Sequence, residues 1–230
     1  MSTDKPKPRR SKAKAPATSK RKTAAKPATK AKAVAKKTVK RVARADRAIT
    51  ERSMRFRDRP MMRVFASFLE AADQPPLIIA SAGTLAVGLL TRRADIARGG
   101  GRMLASHLVA TGAKLAVKHQ FDRTRPSEAV KSGHRFQQGD EGGHEEKSFP
   151  SGHTAGAVAV ARAAAHEIDG AAAPGAIASL AVAVGQAPAG NHYLTDVVAG
   201  AAIGWASEAV VGAVFDYFEG ETKPADDPSQ

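Results

Sequence analysis

Five stretches of this chain carry no charged residue: Gln74–Thr91, Met103–Ala113, Ser148–Ala161, Gly170–Thr195 and Val197–Ser207. Their Ala, Gly, Val and Leu are spread almost all round a helical wheel rather than gathered on one face. A helix of that kind is buried on every side, in lipid or within a bundle. Val and Ile do not form period-two runs, so strands have little support. The stretches are short against the roughly 20 residues of a membrane span. Even so, lipid is preferred here to a soluble bundle. Gly83, Gly88, Gly112, Gly156, Gly200 and Gly204 are small enough to let helices approach closely. Gly99-Gly100-Gly101 reads most simply as a flexible turn, and Phe121–Phe149 as a long polar loop.

Charge divides the chain. Its 230 residues suit one ordinary domain. Residues 1–59 carry 22 Lys and Arg against 4 Asp and Glu, a net of +18; the remaining 14 and 18 leave residues 60–230 at −4. The basic character therefore belongs to a tail, and a basic nucleic-acid-binding domain is a poor description of the body. Residues 1–40 hold no aromatic residue and bury too little apolar surface to offset their ordering entropy. The expectation is a disordered Lys/Arg/Ala/Pro-rich tail over 1–59, with a basic amphipathic helix at 41–59, a helical domain over 60–218 and a short polar tail over 219–230. The tail suits anionic lipid or, non-specifically, nucleic acid; a partnerless solvated extension is the plain alternative. Cysteine is absent, which excludes disulfides, cysteine nucleophiles and Cys-ligated metals. The first 30 residues contain no apolar run that would make a cleavable signal.

Three polar patches interrupt the apolar body. In the first, Lys118 and Arg125 are seven residues apart, close to two helical turns, so they share a face if the helix persists to Pro126, which would end it. Two cations on one face suit an anion with several oxygens; a basic cluster closing a helix is the simpler use. The second is Pro150-Ser151-Gly152-His153 at a helix start. Free backbone N–H groups there make a phosphate cradle, Gly152 permits close approach, and His153 is placed to donate a proton. The alternative is an ordinary N-cap. In the third, His192 and Asp196 are four apart, which on a helix puts a carboxylate against an imidazole. The alternative is that Asp196 or Thr195 only caps the next helix.

Together, Lys118-x6-Arg125-Pro126, Pro150-Ser151-Gly152-His153 and His192-x3-Asp196 resemble the three motifs of the type 2 phosphatidic acid phosphatase (PAP2) superfamily, over roughly Pro60 to Phe218. The resemblance implies an all-α, membrane-embedded bundle of about five to six helices. It implies phosphoryl transfer with no cofactor and no metal. Lys118, Arg125 and the backbone of Ser151 and Gly152 would bind the phosphate oxygens. His192 would attack phosphorus to form a phosphohistidine, Asp196 would orient His192, and His153 would protonate the leaving alcohol. The implied substrate is a lipid phosphate or polyprenyl diphosphate. One departure stands out. The third motif has Arg six residues before its His, and that position here is Gln186, with Gly185 where Ser is usual. A Gln amide donates hydrogen bonds without charge. Arg123 and Arg135 are the candidates to compensate. The alternative function is a weak or silent relative that binds phosphorylated lipid or acts as a membrane scaffold.

Threading the helices as 61–73, 77–90, 103–119, 153–166, 172–188 and 196–216 puts all three patches at one end. Arg92, Arg93, Arg98, Arg102, Glu167 and Asp169 fall at the other. The +18 tail makes that second side cytoplasmic in an inner cell membrane. Segment 61–73, with Arg63 and Glu70, is a poor span. His107, His119, His134, His144 and His166 are scattered and assigned no role.

Overall fold

The computed structural model describes residues 27–222. Among them are eight α-helices and two short strands. Helix α1 runs Pro27–Ser53. It begins at Pro27, inside the stretch expected to be disordered, because Ala, Lys and Arg are all strong helix formers, and it ends at Ser53, short of the amphipathic segment's expected end at 59. The expected tail at 1–26 and most of that at 219–230 lie outside the described residues. Residues up to Arg41 form one unit and Val42 onward another. All the remaining helices and both strands belong to the second unit.

In that unit, α2 (Pro60–Glu70) and α3 (Gln74–Leu90) both open on proline in the first turn, where no backbone N–H is needed. At 11 residues α2 is about 16 Å long, too short to cross a bilayer. Helix α4 (Ala94–Lys118) lies against α3, and also against α6 (Gly152–Glu167) and α8 (Leu194–Thr222); α7 (Ala172–Gly185) packs on α6.

Small residues set these approaches. Gly100 faces the backbone of Leu85, and a Cβ there would overlap it. The Gly-Gly-Gly run is therefore not a turn but the interior of α4, with Gly99 and Gly100 buried. Gly200 and Gly204 meet the carbonyls of Ser151 and Ala155 and bring α8 onto the start of α6. Gly83 and Gly112, also expected at helix contacts, face open space.

Outward faces are apolar. Ile79 and Leu90 on α3, Ile177 and Leu180 on α7, and Val198, Trp205 and Val210 on α8 are all exposed. Among the described residues, one helical segment, Leu194–Phe218, is long and apolar enough to cross a membrane, while α3 and α7 are shorter apolar helices. At the end away from the polar patches, Arg102 of α4 bonds Glu208 of α8 at 2.6 Å and Glu167 of α6 at 2.9 Å. Arg162 reaches Glu208 at 2.9 Å.

The segment between α4 and α6, expected as an irregular loop, is structured. Strands β1 (Phe121–Arg123) and β2 (Phe136–Gln138) pair antiparallel around α5 (Pro126–Ser132), with Phe121 opposite Gln138. Phe121, Phe136 and Phe149 cluster with ring centroids 5.8–5.9 Å apart. Three residues per strand are too few for periodicity to reveal, and the aromatic cluster stabilises the pairing across distant positions.

Candidate active site

A cavity of about 560 Å³ opens where the C-terminal end of α4, the N-terminal turn of α6 and the α7–α8 turn converge. Lys118, Arg125, Gly152, His153 and His192 all line it. Five residues expected to act together thus share one space, although the two histidines are 39 positions apart. Their ring centroids lie 6.2 Å from each other.

His192 is 1% exposed. Its Nδ1 is 2.7 Å from the carbonyl oxygen of Ser148. A carbonyl only accepts, so Nδ1 carries the proton and Nε2 keeps its lone pair. The spacing predicts that Asp196 does this directly. Its carboxylate is instead 3.8 Å from Nδ1, because His192 precedes α8 rather than lying on it. Asp196 accepts from the Ser148 hydroxyl at 2.6 Å and the Tyr193 N–H at 2.9 Å. It fixes the segments that hold the imidazole. Burial pushes the proton affinity of His192 down, while the Asp196 carboxylate pulls it back up.

His153 stands on the first turn of α6, with Nε2 buried and free of any protein partner among the described residues. Helical geometry leaves the N–H groups of Gly152 and His153 without intrahelical acceptors. Ser151 differs from expectation. Its N–H donates to the Asp196 carbonyl at 3.0 Å, and its hydroxyl pairs with Thr154 at 3.0 Å. Ser151 is therefore the helix N-cap, and the N–H groups left without an intrahelical acceptor are those of Gly152 and His153. Lys118 donates to the Lys147 carbonyl at 3.0 Å, and Arg125 Nε to that of His144 at 3.3 Å; the outer guanidinium nitrogens of Arg125 have no hydrogen-bond acceptor among the described residues.

Gln186 does not line the cavity. It is fully buried, its Oε1 is 3.4 Å from Asn191 Nδ2, and its Nε2 has no partner among the described residues. Neither expected substitute reaches the cavity either. Arg123 bonds Asp46 at 2.7 Å, pairs with Asp196 and stacks on the Tyr193 ring at 3.9 Å. Arg135 pairs with Glu146 at 3.0 Å on the surface. Two cations outside the three motifs do line it: Arg57, beyond α1, and Lys114, one turn before Lys118 on α4. The i, i+4 spacing of Lys114 and Lys118 is the sequence signal that marks the second of these. Among the histidines assigned no role, His144 also lines the cavity.

Asp46 is a residue that sequence reasoning misses. It accepts from Arg123 Nη2 at 2.7 Å and from Thr195 Oγ1 at 2.5 Å, and Arg123 in turn meets the carboxylate that braces the His192 segment. On the cavity wall, Glu70, Asp73 and His153 each bring one possible ligand atom within 4.8 Å of the others, a spacing that admits a cation.

The family model described as the PAP2 superfamily matches residues 99–219. This chain belongs to the PAP2 superfamily. Two solved structures share its fold. Aquifex aeolicus LpxE is 18% identical with a TM-score of 0.56, over 72% of this chain and 93% of that one. The first transmembrane PAP2 type phosphatidylglycerolphosphate phosphatase from Bacillus subtilis is 18% identical with a TM-score of 0.53, over 79% of this PAP2 chain and 88% of its own. No curated protein sequence matches. The family resemblance drawn from the three motifs therefore holds, and the match takes in every residue assigned to those motifs.

Proposed function

We propose that this PAP2 chain is a metal-independent phosphatase of a lipid phosphate or polyprenyl diphosphate, working through a phosphohistidine. The observation that carries the reading is the shared cavity: two histidines 6.2 Å apart, one with Nε2 unprotonated, facing Lys118 and Arg125. In this reading His192 Nε2 attacks phosphorus as the bond to the leaving oxygen breaks, and His153 gives that oxygen its proton. Water then attacks phosphorus and loses a proton to His153. The N–P bond breaks, inorganic phosphate leaves and both histidines are restored. Charge spreads over the equatorial oxygens during transfer, where the cations and the α6 N–H groups stabilise it.

A lipid substrate is supported by a second, apolar groove of about 320 Å³, whose walls include Phe68, Leu77, Ala157, Val160 and Val182. Ala157, which lines this groove, lies one turn along α6 from His153, which lines the polar cavity. The B. subtilis protein, by its description, acts on phosphatidylglycerolphosphate and is transmembrane. An inner-membrane, multi-pass placement with a cytoplasmic N-terminal tail follows the same reading, with the cavity facing outward.

The test is phosphate release in detergent from phosphatidic acid, a polyprenyl diphosphate and an aryl phosphate. Activity lost in His192→Ala, with an acid-labile phosphoenzyme in the wild type, is the expected result. A second reading is favoured by Gln186, which is uncharged and off the cavity wall. A chain that binds these lipids without releasing phosphate from any of them would be that silent relative.

A further inference from the structure

Lys114 is 8% exposed, and its ammonium has neither an ion pair nor a hydrogen-bond acceptor among the described residues. Burying a cation without a partner is costly. Its position makes the cost larger. A Cβ on Gly152 would lie 2.9 Å from Lys114 Nζ, so the ammonium sits over the first turn of α6. A helix N-terminus carries partial positive charge and repels a cation. Glu70 and Asp73 line the same cavity; the Asp73 carboxylate attracts the Lys114 ammonium from a distance, but among the described residues neither acid is within ion-pair range of it. A buried ammonium and outward-pointing N–H groups facing the same small volume are jointly satisfied by one kind of guest, an anion with several oxygens lying between them.

We infer that Lys114 is a direct ligand of the transferring phosphoryl group, alongside Lys118 and Arg125, and a catalytic residue of this protein. This rests on the cavity's being a phosphate site, as read above. Lys118 Nζ already has a backbone carbonyl as partner, and Arg125 donates to another. Of these three cations, Lys114 is the one with neither a hydrogen-bond acceptor nor an ion pair among the described residues, and so the one whose three N–H groups are all open to the substrate. It also brings charge to the side of the cavity bounded by α6. Gln186, held behind the wall by Asn191, brings none.

The experiment compares full-length wild type with Lys114→Arg, Lys114→Gln and Lys114→Met. It reads vanadate affinity, kcat and KM on the best lipid phosphate, and melting with and without vanadate. Vanadate imitates the phosphoryl group and needs no turnover. Loss of one such contact is worth roughly 10²–10³ in kcat. Lys114→Gln is expected to lose about that much in kcat and at least tenfold in vanadate affinity. Lys114→Arg, which keeps the charge, is expected to stay within about tenfold of wild type on both.

Lys114→Met removes the buried charge. It is expected to melt higher than wild type without vanadate and to gain clearly less than wild type from the same vanadate concentration. A merely structural lysine would give the reverse, a lower Tm with vanadate stabilisation intact. Wild-type vanadate affinity in Lys114→Gln overturns the inference and leaves the phosphatase reading standing. A wild type that neither turns over nor binds vanadate overturns both.

Discussion

At the scale of single residues, the tautomer of His192 is set by a main-chain carbonyl. Ser148 O accepts from Nδ1 at 2.7 Å, whereas the Asp196 carboxylate is 3.8 Å away. The two residues should therefore fail differently when replaced. In the proposed reaction His192→Ala removes the nucleophile and is expected to abolish phosphate release. Asp196→Asn leaves the Ser148 carbonyl in place and is expected to cost kcat about 10²-fold rather than the ~10⁴-fold typical when an orienting carboxylate alone fixes the tautomer. The pH profile checks the electrostatics. Burial lowers the proton affinity of His192, so the neutral nucleophile persists into acid. The acid limb of kcat/KM, which reports the free enzyme, is expected below the ordinary histidine value of about 6.5. Asp196 opposes burial by favouring the protonated ring. Removing its charge should move that limb to still lower pH. A limb shifted upward in Asp196→Asn would contradict this account. The motif residues are legible in the sequence because their types and spacings sit within short windows. The Ser148 carbonyl is not, since any residue has one and only the fold decides which imidazole it meets.

At the scale of elements, close helix contacts rest on particular glycines, and composition does not say which. Gly204 abuts the Ala155 carbonyl on α6, while Gly112 faces open space. Gly204→Ala is expected to destabilise by about 1–3 kcal/mol through overpacking. Gly112→Ala should be neutral or gain up to about 1 kcal/mol from helix propensity. Melting of the two purified variants in one detergent separates them, and equal losses would show that the α6–α8 contact is softer than the geometry indicates. Helix α1 offers a second test. Asp46, buried at 4% exposure, bonds Arg123 and Thr195, and Arg123 in turn pairs with Asp196. Asp46→Ala leaves a buried guanidinium short of a partner and is expected to cost about 3–5 kcal/mol, read as a lower Tm. The sequence shows a basic, amphipathic stretch here. The acidic residue that matters, one among many cations, has its partners 77 and 149 positions away.

At the scale of the whole molecule, the two ends of the bundle hold opposite kinds of polar group. One end carries the cavity lined by Lys118, Arg125 and the two histidines; the other carries the Arg102, Glu167 and Glu208 network, which ties α4, α6 and α8 together. Deleting residues 1–41 is expected to leave phosphatase activity within about twofold, because the second compact unit begins at Val42. Deleting 1–59 removes Asp46 and Arg57 and is expected to abolish activity; a fully active 60–230 fragment would show that α1 is dispensable to the site. By itself the sequence determined the helical class, the separation of basic tail from apolar body, and the three motifs of a PAP2 chain. Each of these is written in local composition or spacing, which acts before any distant contact forms. Only the tertiary structure decided that Gln186 lies behind the cavity wall, that Arg123 braces the fold away from the cavity, and that Lys114 stands beside the first turn of α6 without an ion pair or hydrogen bond among the described residues. A charge takes its role from whatever lies within a few ångströms, and in a bundle those neighbours come from helices far apart in the chain.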